Sequence, residues 1–96
     1  MQFINFNNLS NLNTQNVTHF RYMFAYCDYL TSIDVSNFDT KKAEDISGMF
    51  CNCISLTSIN LSNFITTNVQ YTYYMFYNCK SLISLNLSNF NTEKVV

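Results

Sequence analysis

The pair Met-Phe stands at Met23-Phe24, Met49-Phe50 and Met75-Phe76, and the interval is 26 residues both times. Cys27, Cys53 and Cys79 keep that interval, as do Leu30, Leu56 and Leu82, and Ile33, Ile59 and Leu85. Residues 27–52 and 53–78 agree at 12 of 26 positions without a gap, and residues 79–96 agree with 53–70 at 11 of 18. The identities fall on apolar and turn positions. A fixed period of this length describes units that cannot bury an apolar face alone and do so by stacking on their neighbours. The chain therefore divides into an irregular first copy (1–26), two full copies (27–52 and 53–78) and a truncated one (79–96), all in a single array.

Two shorter periods run inside a copy. Around Ile33 and Val35, apolar and polar residues alternate, which predicts a short strand centred on Ile33, with counterparts at Ile59 and Leu85. After Phe38 the apolar residues Ala43, Ile46, Met49, Phe50 and Cys53 are spaced 3, 3, 1 and 3, which predicts one face of a helix. Thr14, Thr40 and Thr66 stand before these stretches as N-caps. The β-branched and aromatic run from Thr66 to Tyr74 disfavours helix, so a tighter 3₁₀ turn or a second strand stays open there.

The string Leu30-x-x-Ile33-x-Val35-x-x-Phe38 resembles the strand segment of leucine-rich repeats, so the expected fold is an α/β leucine-rich-repeat solenoid, with short parallel strands on one face and short helical segments on the other. The string carried by Met49, Phe50, Cys53, Leu56, Ile59, Leu61, Ser62, Asn63, Phe64, Thr66 and Val69 resembles the BspA-like leucine-rich repeats, also known as the mycoplasma surface-protein repeats of unknown function. The resemblance covers residues from about 9 to 96. It implies a bacterial or protist surface protein or lipoprotein that adheres to host matrix or other cells. Cell-surface or secreted localisation follows from the resemblance alone, because Met1 to Asn5 shows neither a basic start nor an apolar core of a signal peptide.

Composition narrows the chemistry. Charged residues are 11% of the chain against 48% hydrophobic, the reverse of a disordered balance. The net charge is −1 and no Lys/Arg cluster exists, so no nucleic-acid partner is expected. No apolar run reaches the length of a membrane span, so direct insertion is not expected. A single Gly leaves no Gly-rich phosphate loop, and no cofactor is expected. With no Pro either, Asn, Ser and Thr must supply the turns.

Candidate catalytic and metal residues are few. His19 is the sole His and reads as a solvated side chain, and no nucleophile, base and oxyanion set assembles around it. An enzyme is therefore not expected. Cys51-x-Cys53 lacks a second pair at finger spacing, which makes zinc a weak reading. Cys27, Cys53 and Cys79 should form a buried thiol ladder at a rise of roughly 5 Å, a spacing that also permits a disulfide. Cys51 falls at a variable position and is expected to be the exposed, most reactive thiol.

The candidate binding face is the set of outward strand positions, Ser32, Asp34, Ser58, Asn60, Ser84 and Asn86. Its expected occupant is a protein or cell-surface partner. A structural spacer that projects another domain is the alternative. Some of the seven tyrosines must also be exposed, and exposed aromatics are enriched at interfaces. Self-association through the C-terminal end is a further expectation, because Leu82, Leu85, Leu87 and Phe90 lack a following copy to cover them.

Overall fold

The computed structural model describes residues 12–85, 87 and 90. Two strands of two residues each, β1 (Ser58–Ile59) and β2 (Ser84–Leu85), pair in parallel, with Ser58 opposite Ser84 and Ile59 opposite Leu85. Isolated parallel bridges join His19 to Asp45 and Asp45 to Tyr71. No helix occurs among the described residues. The expected leucine-rich-repeat solenoid of strands and helices is therefore corrected: the chain is a small globular domain with two short parallel strands, 30 × 29 × 23 Å in extent.

The strands are short because turns bracket them. Leu56 N–H closes a turn onto the Cys53 carbonyl at 3.2 Å, and the Asn60 side-chain oxygen accepts from Ser62 N–H at 3.0 Å. Only the residues between remain extended, since the Asx turn competes with any further ladder. The segment at Ile33 forms no strand, although Thr57 N–H reaches the Thr31 carbonyl at 3.0 Å. Asp34 and Ser36 make the same Asx turn there, at 3.0 Å.

The segments expected to be helical are runs of turns. Ala43 N–H bonds Thr40 O, Met49 N–H bonds Ile46 O, and Cys53 N–H bonds Phe50 O, each three residues back. Successive three-residue turns reproduce the apolar spacing of 3 that a helix face would give. Helix is excluded by the left-handed backbone at Tyr22, Tyr26, Gly48, Asn52, Tyr74 and Asn78, where φ lies between 55° and 64°. These six positions recur at the 26-residue interval. The N–H groups of four of them leave the local chain: Tyr22, Tyr26, Gly48 and Asn52 donate to Ser47, Cys51, Tyr73 and Tyr77 carbonyls at 2.7–3.0 Å.

Side chains complete the stack. Phe24, Phe50 and Phe76 lie nearly parallel, with ring centroids 5.5 and 5.6 Å apart. Met49, Phe50, Cys53, Leu56 and Leu61 are fully buried at the centre. Two of the three threonines expected as N-caps, Thr40 and Thr14, act instead between chain segments. Thr40 Oγ1 donates to Ile65 O at 3.1 Å and accepts from Ile65 N–H at 2.8 Å; Thr14 does the same with Asp39 at 3.2 and 2.8 Å. Asn63 Nδ2 reaches the carbonyls of Val35, Ser36 and Phe38 at 3.0–3.1 Å. These bonds satisfy backbone groups that no regular ladder covers.

Candidate binding site: a tyrosine-lined cleft

Three positions of the stack vary between levels: His19, Asp45 and Tyr71; Arg21, Ser47 and Tyr73; Tyr22, Gly48 and Tyr74. Because the backbone places them side by side, their side chains share one surface. A cleft of about 360 Å³ opens there, lined by Arg21, Tyr22, Asp45, Ser47, Tyr71, Tyr73 and Tyr74. Gly48 contributes no side chain between Tyr22 and Tyr74, and the Tyr22 ring lies over it.

The floor is polar and fully engaged. Asp45 is buried; its Oδ1 accepts from Ser47 N–H at 2.9 Å, and its Oδ2 lies 3.2 Å from Arg21 Nε. Ser47 Oγ in turn accepts from Tyr73 N–H at 3.1 Å. Arg21 sits 5.8 Å from the centre of the Tyr22 ring, within cation–π range, and its outer guanidinium remains in solvent. The walls are aromatic: Tyr71 and Tyr73 have ring centroids 6.2 Å apart, and Tyr22, Tyr71, Tyr73 and Tyr74 are all exposed. Tyrosine offers an apolar face and a polar tip, and a planted arginine offers fixed donors, so the cleft can hold a mixed apolar and hydrogen-bonding ligand.

The six residues of the expected binding face are placed differently. Ser32, Asp34, Ser58, Asn60 and Ser84 are exposed, and Asn86 lies outside the described residues. Only Ser58 and Ser84 stand on strands, as neighbours in register. Asp34 and Asn60 turn their side-chain oxygens onto the backbone of Ser36 and Ser62. Hydrogen bonds from the Ser36 hydroxyl and N–H hold the Asp34 carboxyl below its ordinary range. Among the described residues two strands of two residues make no extended face, so adhesion to host matrix or other cells through a solenoid surface has no structural basis there. The spacer alternative gains nothing from the same observation.

The thiols also depart from expectation. Cys51 is buried, with Asn52 Nδ2 at 3.0 Å from its sulfur, whereas Cys27 and Cys79 are half-buried. All four cysteines are free thiols. Cys53 donates to Phe24 O at 3.0 Å and Cys79 to Phe50 O at 3.1 Å. Burial pushes the Cys53 thiol up to about 12, and burial raises Cys27 and Cys79 as well. Such thiols are poor nucleophiles at neutral pH. Among the described residues no group of three or more His, Cys, Asp or Glu is placed to hold a metal ion. His19 is exposed, with Nδ1 2.9 Å from the Thr18 hydroxyl.

Sequence reasoning recognised that tyrosines must be exposed but not that they gather. The available signal was the coincidence of Arg21, Asp45 and the tyrosines at equivalent positions of the period. A family profile matches the chain over residues 1–96, that of a Mycoplasma protein of unknown function, DUF285. It replaces the assignment to BspA-like leucine-rich repeats, which its description does not name. No curated protein and no solved structure matches the chain. The chain belongs to this Mycoplasma family of unknown function.

Proposed function

We propose that the chain is a protein-binding module whose recognition surface is the tyrosine-lined cleft. The observation that supports this is the gathering of Tyr22, Tyr71, Tyr73 and Tyr74 around the Arg21–Asp45 pair. Tyr and Arg are, with Trp, enriched at binding hot spots: Tyr brings large contact area with few rotatable bonds, and Arg brings a fork of directed hydrogen-bond donors. The tyrosines stand on backbone fixed by bonds between chain segments, so little ordering entropy is lost when a partner docks. The neutral Arg21–Asp45 pair favours a polypeptide segment with apolar side chains and backbone acceptors over a highly charged ligand.

A peptide-display selection against the folded chain tests this. Selected peptides should lose about tenfold or more in affinity on Tyr73→Ala and on Arg21→Ala. Lys80→Ala, outside the cleft, should leave them unchanged. Peptides that bind equally well to all three variants would place recognition elsewhere.

A further inference from the structure

We infer that Arg21 anchors a carboxylate of the polypeptide that docks in the cleft, through the N–H groups at the outer end of its guanidinium. The inference rests on the tyrosine-lined cleft being the recognition surface, and it names what that surface selects in its partner. Arginine carries its donors in a rigid planar fork that matches the two oxygens of a carboxylate. Within the chain only the inner donor is engaged. Arg21 Nε lies 3.2 Å from Asp45 Oδ2, and no other hydrogen bond or ion pair of the guanidinium occurs among the described residues. The Arg21 side chain is 57% exposed, against 9% for Asp45. The group is thus tethered at its inner side and open at its outer fork.

The tether is held from several directions. Asp45 Oδ1 accepts from Ser47 N–H at 2.9 Å, so neither carboxylate oxygen is idle. Ser47 Oγ accepts from Tyr73 N–H at 3.1 Å, which ties the same group to the aromatic wall. The backbone beneath is fixed as well: every second residue along 20–26 and 46–52 donates its N–H to a carbonyl of the following level. Asp45 is bridged to His19 on one side and to Tyr71 on the other, so the tether stands in the middle of the stack. An arginine positioned in this way loses little freedom when a ligand arrives.

The surroundings select the charge and limit it. Arg21 and Asp45 are the charged residues that line the cleft, and the Asp45 oxygens are already turned onto Ser47 and Arg21. An approaching anion therefore meets the guanidinium first. Asp45 still offsets part of the attraction, which suits one carboxylate flanked by apolar groups and opposes an acidic run. The Tyr22 ring centre is 5.8 Å from the guanidinium carbon, and Tyr71 and Tyr73 stand beside each other across the cleft. Rings that exclude water strengthen such a contact, and their hydroxyls offer further donors. The fork recognises an Asp or Glu side chain and a free C-terminus by the same chemistry.

Two display libraries offered to the full 96-residue chain test the proposal. One presents random peptides with free C-termini, the other random peptides closed into a loop. Replacing the carboxylate of a selected peptide by its amide should weaken binding about tenfold on the wild-type chain. On Arg21→Gln the acid and amide forms should bind alike. Arg21→Lys, which keeps the charge without the fork, should recover only part of the difference. Binders confined to the free-ended library assign the carboxylate to a C-terminus, and a fixed Asp or Glu in both libraries assigns it to a side chain. Peptides that weaken on Tyr73→Ala yet bind equally as acid and amide overturn the anchor and leave the cleft in place. Peptides indifferent to both Tyr73→Ala and Arg21→Ala remove the cleft and the anchor together. The comparison of acid with amide on the wild type needs no variant, so it decides even where Arg21→Gln fails to fold.

Discussion

The ring of Tyr22 occupies the space where a Cβ on Gly48 would stand, its Cε1, Cδ1 and Cζ atoms meeting that position. Gly48 is the sole glycine of the chain and also holds φ at +63°. Two independent constraints, backbone handedness and the tyrosine above it, thus meet at one residue. Gly48→Ala should destabilise the chain by about 1–3 kcal/mol in urea unfolding. Combining it with Tyr22→Ala should recover the steric part and leave the backbone part. Full recovery in the double variant would mean that φ contributes nothing.

Thr40 satisfies both backbone groups of Ile65 with one hydroxyl. Thr40→Val keeps the shape and leaves an N–H and a carbonyl without partners. The expected loss is about 1–3 kcal/mol. Thr40→Ser, which keeps the oxygen, should lose less than half of that. Equal losses in the two variants would assign the effect to the methyl group.

The Cys53 thiol, ordinarily near 9.0, stands at about 12 in the folded chain. The folded state therefore holds its proton more tightly than the unfolded state does. Its contribution to stability is complete below pH 9 and is lost as pH rises through 12. The melting temperature should fall across that window, and Cys53→Ala should reduce the slope. A variant with the wild-type slope would show that other groups govern the alkaline transition. Thiol reagents at neutral pH should reach Cys27 and Cys79 before Cys53, because those two are half-buried and Cys53 is not exposed at all.

Arg21 has most of its side chain in solvent although its partner Asp45 is buried. Exposed pairs contribute little, so Arg21→Ala should change stability by less than about 1 kcal/mol. The same substitution should weaken the peptides selected on the cleft. Asp45→Asn should keep the turn to Ser47, because an amide oxygen can still accept that N–H. A large stability loss for Arg21→Ala would instead make the pair part of the fold.

The apolar positions of the period were legible because each recurs with the same chemistry. Phe50, Cys53, Leu56, Ile59, Leu61, Phe64 and Val69 all reach the core. What the period did not reveal was the local backbone. A spacing of three suits a helix face and also suits consecutive turns, and Ala43, Ile46 and Met49 satisfy both. The deciding residues were Tyr22 and Tyr74, whose left-handed φ few sequences would announce in a tyrosine. Cys51 misled for a related reason: variability at positions 25, 51 and 77 suggested exposure, yet the central level is covered on both sides and Cys51 is buried. The cleft needed distances across levels, and no one-dimensional pattern contains these.

The alternation of donors along residues 20–26 and 46–52 also sets how such a chain can change length. Removing one residue between Tyr22 and Phe24 would shift every later N–H by one place and turn the outgoing donors back on their own segment. A change of 26 residues would leave each donor facing an acceptor of the same kind. Growth and loss in this lineage should therefore proceed by whole levels, with single-residue changes confined to exposed stretches such as Asp28-Tyr29, where no bond between levels is interrupted.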